Sequence, residues 1–112
     1  MPKQKSSSSV SSYEPPPLVF TALDIAKFLA KSESNMEVIQ DSIDGYRGSQ
    51  SHKEIVEKIY TLLFDYKGYH AELKILGKYA EERDLTAKEN VHVAELESNM
   101  NEMIGKYNEI LP

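Results

Sequence analysis

Apolar residues recur at alternating steps of three and four in three separate stretches of this chain. That spacing places side chains on one face of an α-helix, because a helix completes a turn in about 3.6 residues. Ser32 is the only polar residue on the first of these apolar seams. We therefore predict three helices that pack through their seams, on one another or on a partner. The residues expected to form this helix-packing or interface surface are Ile25, Leu29, Met36, Ile39, Ile59, Leu62, Tyr66, Tyr69, Leu73, Leu76, Leu96, Met100, Met103, Tyr107 and Ile110.

Three predicted helix starts carry a Ser or Thr followed three residues later by an acidic residue, at Thr21, Ser51 and Thr86. In such a capping box the hydroxyl accepts a hydrogen bond from a backbone N–H, and the acid accepts one from the capping residue. Gly45 is expected to end the first helix, because glycine readily adopts the backbone conformation that terminates helices. The helices are predicted at about residues 22–44, 52–83 and 87–111.

The sequence leaves alternatives open at two points. The third seam is out of phase with the second, which together with the cap at Thr86 predicts a turn around Arg83 to Leu85. No Gly or Pro marks that turn, so one long bent helix is the alternative. The polar run at residues 32–35 could also interrupt the first helix. Short connections make consecutive helices antiparallel neighbours. The predicted fold is therefore all-α, a three-helix antiparallel bundle built around a coiled-coil hairpin.

The first 17 residues differ in composition from the rest of the chain. They are rich in Ser and Pro and contain few apolar side chains. Such a segment cannot offset its loss of conformational entropy by burial. We predict a disordered tail over residues 1–17 and a helical domain over residues 18–112.

Composition limits the classes of function that are open to this chain. It contains no Cys, which excludes disulfides, thiolate nucleophiles and thiolate-held metals. Its net charge of -5 argues against a nucleic-acid partner, which favours a basic face. The most apolar stretch, residues 18–30, is interrupted by Asp24 and Lys27 and is too short to span a bilayer, so a membrane partner is not expected. The first residues do not resemble a secretion signal, and the expected location is intracellular, cytoplasmic or nuclear.

No arrangement of polar residues in the sequence predicts a catalytic or metal site. His52, His70 and His92 are too far apart in sequence for any two to share neighbouring turns of a helix. Glu89 and His92 have the spacing used by helical di-iron sites, but those sites need two copies and this chain has one. The glycines within residues 45–49 lack the spacing of a phosphate-binding loop. We expect no metal, no cofactor and no enzymatic activity.

The helices contain more apolar residues than their seams require, including Tyr60, Leu63 and Phe64 in the second helix. This surplus could widen a three-helix core, or it could form a face that another helix covers, since large exposed apolar patches are rare on monomers. The interpretation we favour is a non-catalytic interaction subunit or scaffold within a multiprotein assembly. Its helices would pack on a helical protein partner or on a second copy, and the sequence does not choose between these. The alternative is a small acidic helical chaperone or adaptor that shields a client protein.

Overall fold

The computed structural model describes residues 18–112. Within them lie three α-helices: α1 (Ala22–Tyr46), α2 (Lys53–Glu82) and α3 (Ala87–Ile110), with a short 3-10 turn (Gln50–His52) before α2. The described part of the chain has no strand, and the predicted all-α three-helix bundle is confirmed. The predicted disordered tail lies outside the described residues, and the division of the chain at residue 18 stays a prediction.

Two of the three predicted capping boxes are present. The Thr21 hydroxyl accepts a hydrogen bond from the Asp24 N–H at 3.2 Å, and the Asp24 carboxylate accepts one from the Thr21 N–H at 2.9 Å. Thr86 and Glu89 repeat this arrangement at 3.1 Å and 2.9 Å. Each pair satisfies two backbone N–H groups that the first helical turn leaves without partners.

The predicted capping box at Ser51 is wrong. Ser51 lies inside the 3-10 turn, and α2 begins one residue after His52, which makes no side-chain capping bond. The turn is held instead by the His52 N–H, which donates to the Ser49 carbonyl at 3.2 Å, and by a Ser49 Oγ to His52 Nδ1 hydrogen bond of 2.8 Å. An N-cap residue needs an extended backbone, and a residue within a helical turn does not have one.

Both open alternatives are resolved in favour of three uninterrupted helices. α1 continues without interruption through residues 32–35. Gly45 does not end the helix as predicted, because α1 continues to Tyr46, and the left-handed backbone of the following loop falls at Gly48, with φ of +86°. The chain turns between Glu82 and Ala87, as predicted. This turn needs no glycine, because Arg83 is extended, with φ of -162°, and any residue adopts that conformation.

Helix α2 is the centre of the bundle, since α1 and α3 both pack mainly on it and contact each other less. Ile25 lies beside Gly77, and Asn35 bonds Tyr66, so α1 runs antiparallel to α2. At Gly77 the backbones approach closely: a Cβ there would lie 3.0 Å from Ile25 Cγ2. The core divides into two clusters along the bundle. One buries Ile25, Tyr66, Leu73, Leu76, Val93, Leu96 and Met100, and the other buries Ile39, Ile43, Ile59, Leu62, Leu63 and Tyr107.

Candidate interaction surface

The predicted packing residues all lie within the bundle. The buried ones are Ile25, Ile39, Ile59, Leu62, Tyr66, Leu73, Leu76, Leu96, Met100 and Tyr107. The half-buried ones, packed against the two clusters, are Leu29, Met36, Tyr69, Met103 and Ile110. The structure therefore brings these residues together as the contacts among α1, α2 and α3. That any of them also contacts another protein stays a prediction.

Sequence reasoning missed part of the α2 surface that faces α1. Leu63 was counted as surplus, yet it is only 3 % exposed, and Gly77 is buried under Ile25. With His70, and with Tyr66 of the predicted seam, they form a second line at steps of three, four and seven on the α2 surface that faces α1. A central helix needs two such seams because it has two neighbours. The wide apolar arc of α2 was the signal for this arrangement.

Side-chain hydrogen bonds join α1 to both other helices. Ser32 Oγ lies 2.7 Å from His70 Nδ1, and Asn35 Nδ2 donates to the Tyr66 hydroxyl at 3.1 Å. The Ser42 and Tyr107 hydroxyls are also paired. Burial lowers the pKa of His70, with a smaller opposing influence from Glu33. Buried polar groups are costly without partners, so these pairs favour one alignment of α1 over shifted ones.

The Ser32–His70 pair has the atoms of a serine nucleophile and its base, but it has no room for a substrate. Ser32 is 2 % exposed, and the cavity beside it measures about 20 Å³. That volume holds about one water molecule. A nucleophilic serine needs an open position for a carbonyl group next to its hydroxyl. The geometry of this pair therefore suits helix packing.

The remaining polar cluster links the start of α1 to the turn between α2 and α3. The Phe20 N–H donates to Asn90 Oδ1 at 2.8 Å, and Asn90 Nδ2 donates to the Thr86 carbonyl at 3.0 Å. Arg83 bonds Glu89 at 2.8 Å, and this contact, together with the Thr86 backbone N–H, lowers the pKa of Glu89 to about 2. A carboxylate held ionised in this way stabilises the turn and cannot supply a proton at neutral pH. The buried Asn90 continues the α3 seam by one step, a position that sequence reasoning did not single out.

Glu89 and His92 do not share a site. Glu89 is engaged by Arg83, whereas His92 Nε2 lies 3.1 Å from Glu72 on α2. Among residues 18–112, no group of three or more His, Cys, Asp or Glu side chains is placed to hold a metal ion.

The exposed apolar residues of α2 form the candidate interaction site. Tyr60, Phe64 and Ile75 are 55 %, 69 % and 53 % exposed, and all lie on the side of α2 away from α1 and α3. Gly68 and Ala71, also exposed, lie between them at helical spacing. We call these five residues the outer face of α2. An open groove of about 380 Å³ runs along its edge towards Gln40 of α1 and is lined also by Lys67. The outer face can accept apolar side chains from another molecule.

None of the described helices is both long and apolar enough to cross a membrane. Comparison of the chain with protein-family models, with curated proteins and with solved structures found no match.

Proposed function

We propose that this chain is a non-catalytic interaction subunit of a multiprotein assembly, and that the outer face of α2 is the surface on which a helix of another chain docks. The observation that carries the proposal is Phe64. It projects from the central helix of the bundle with 69 % of its surface exposed, although α2 already buries one seam against each neighbour. The core does not need Phe64, so its exposure is explained better by a contact outside the described chain.

Physical chemistry supports an interface over chance exposure. Single exposed apolar residues are common on proteins, but a contiguous apolar strip marks an interaction site. Burying a side chain such as Phe or Ile contributes about 1.5–3 kcal/mol. Aromatic residues are enriched in the cores of interfaces, and Tyr60 and Phe64 lie one helical turn apart. An amphipathic helix that docks on such a strip uses anchors at the same helical spacing.

The bundle also provides the rigidity that an interaction surface needs. The two buried clusters and the polar pairs that join α1 to its neighbours fix α2 from the opposite side. A surface that is ordered before binding loses less conformational entropy on association. Tyr60, Phe64 and Ile75 are therefore presented in a fixed relative position.

A photo-crosslinking amino acid introduced at Phe64, in the cells that make this protein, tests the proposal. Val38 on α1 is the matched control because it is 54 % exposed. It lies two residues from Gln40, which borders the groove, and so about 200° around α1 from it. We expect one or a few discrete adducts of fixed mass from position 64 and none from position 38.

The chaperone alternative predicts a different pattern in the same experiment. A chaperone contacts many clients, so position 64 would give a broad distribution of adducts, and the purified protein would suppress the aggregation of a client at substoichiometric amounts. Equal labelling from positions 64 and 38, or none from either, would show that the outer face of α2 is not an interface.

A further inference from the structure

We infer that the outer face of α2 binds a second copy of this chain, with the two α2 helices parallel and in register. This inference rests on the proposed function and adds the identity of the partner and its orientation. It is carried by the charges on the two edges of the face, which are opposite in sign.

The two edges follow from the helical positions of the charged residues. Lys67 and Lys74 lie along one edge of the outer face, and Asp65 and Glu72 lie along the other. All four are exposed. Between the edges, Phe64, Gly68, Ala71 and Ile75 follow one another at steps of four, three and four, which is the spacing of a coiled-coil seam. The edge residues therefore occupy the positions that form charged pairs between the helices of a coiled coil.

The signs of these charges select the orientation of a second copy. In a parallel pair of helices, each edge meets the opposite edge of the partner, and a residue pairs with one five positions further along. Lys67 then faces Glu72 of the second copy, and the two-fold axis repeats this contact. In an antiparallel pair each edge meets itself, so that Lys67 and Lys74 would face lysines. The edge charges are therefore self-complementary in the parallel orientation alone.

The shape of the seam and the position of the other helices are compatible with this pairing. A Cβ built on Gly68 meets nothing within 4 Å, so a partner helix can approach there. Because α1 and α3 pack on the other side of α2, both lie away from the second copy and leave room for it. Glu57 and Lys78 continue the same line at either end and limit the apolar contact to the stretch between them. So short a contact gives a weak dimer that responds to protein concentration.

Disulfide trapping of the purified full chain tests the inference directly, because the natural sequence has no Cys to interfere. Thr61 lies three residues before Phe64 and continues the line of Phe64, Gly68, Ala71 and Ile75. Thr61→Cys and Ala71→Cys therefore place one thiol each on this outer seam, and Ser98→Cys places one on an exposed position of α3 as a control. In two parallel, in-register helices each seam residue lies beside the same residue of the second copy, within reach of a disulfide. In a glutathione buffer both seam variants should form covalent dimers, several-fold more than Ser98→Cys.

Mixing the two seam variants distinguishes the orientations. Residues 61 and 71 are about 15 Å apart along a helix, too far for a mixed disulfide between parallel copies in register. Dimers that link position 61 of one copy to position 71 of the other would overturn the inference. So would a yield of covalent dimer from the seam variants no higher than that from Ser98→Cys.

Charge reversal supplies an independent test. Lys67→Glu or Glu72→Lys alone should weaken the dimer about tenfold, since each places like charges together at two symmetric contacts. The double variant Lys67→Glu/Glu72→Lys should restore it. Glu72 also contacts His92 within its own chain, and the double variant still lacks that contact, so restoration cannot come from it. A double variant no better than the single ones would contradict the pairing.

Failure of this inference can be told apart from failure of the proposed function. If neither seam variant is trapped while Phe64 crosslinks to a different protein, self-association is wrong and the interaction surface stands. If Phe64 gives no adduct in cells and neither seam variant is trapped, both are wrong.

Discussion

Gly77 and Gly68 are two glycines of the same helix that differ in one respect, their distance from α1. A Cβ at Gly77 would lie 3.0 Å from Ile25 Cγ2 and 3.7 Å from Leu29 Cδ1, whereas a Cβ at Gly68 meets nothing within 4 Å. Replacing either glycine by alanine gains about 0.5–1 kcal/mol of helix stability. Only at Gly77 does the added methyl press on the buried, β-branched Ile25, whose side chain has little rotational freedom.

The two variants are therefore expected to change stability in opposite directions. Overpacking a well-filled core costs about 1–3 kcal/mol, so Gly77→Ala should be destabilising by up to about 2 kcal/mol after the helix gain is subtracted. Gly68→Ala should be stabilising by about 0.5–1 kcal/mol. For a domain of this size each kcal/mol moves the melting temperature by about 4–8 °C. Thermal unfolding followed by circular dichroism measures both changes in stability. Low protein concentration keeps the chain monomeric, so that an effect of Gly68→Ala on association does not contribute.

A double-mutant cycle identifies the contact responsible. Leucine carries no methyl branch on its Cβ, so Ile25→Leu removes the Cγ2 group that a Cβ at Gly77 would meet while keeping the side-chain volume. The cost of Gly77→Ala should shrink by about 1 kcal/mol or more in the Ile25→Leu background, since contacting residues couple. If Gly77→Ala stabilised the protein as much as Gly68→Ala does, the close approach of α1 to α2 would be refuted.

Three further predictions concern the core, the half-buried His70 and the helix caps. Leu73→Ala should lower the free energy of unfolding by about 2–5 kcal/mol in denaturant titrations, while the exposed Ile75→Ala should stay within about 0.5 kcal/mol of the wild type; equal losses would contradict the assigned faces of α2. His70 has a folded-state pKa below its usual 6.5, so the unfolded chain binds the proton more readily, and the free energy of unfolding should fall as the pH drops below about 6.5. His70→Gln should make that fall smaller. An unchanged pH dependence would contradict the partial burial of His70. Thr86→Ala should cost about 1 kcal/mol and Ser51→Ala under about 0.5 kcal/mol, and the reverse order in melting experiments would restore the rejected cap.

The sequence predicts those parts of the fold that depend on neighbours along the chain. The capping boxes at Thr21 and Thr86 are four-residue signals, and the structure contains both. The rejected box at Ser51 has the same local pattern, but the chain reaches α2 through a 3-10 turn whose geometry the pattern does not specify. Seam spacing predicts each helix because periodicity belongs to a single element.

The parts that could not be predicted depend on where a second helix lies. Leu63 and Phe64 are adjacent and both apolar, yet the structure buries the first and exposes the second. Only the position of α1 decides between them, and α1 belongs to a different stretch of sequence. The pairing of Ser32 with His70 has the same origin, since the two residues meet only after α1 packs on α2. The sequence therefore indicates that α2 has surplus apolar residues, but it does not indicate which of them are exposed.

The adjacent pair Leu63 and Phe64 also provides the most direct test of the central claim, that the outer face of α2 is an interface and not part of the core. The measurement is the mass in solution by light scattering over a concentration series, with helicity recorded on the same samples, for the wild type, Phe64→Asp and Leu63→Asp. We expect the wild-type mass to rise with concentration, Phe64→Asp to remain a fully helical monomer, and Leu63→Asp to lose helicity. Loss of helicity in Phe64→Asp would contradict the claim, because it would place Phe64 in the core. A mass of Phe64→Asp identical to that of the wild type at every concentration would contradict self-association through this face.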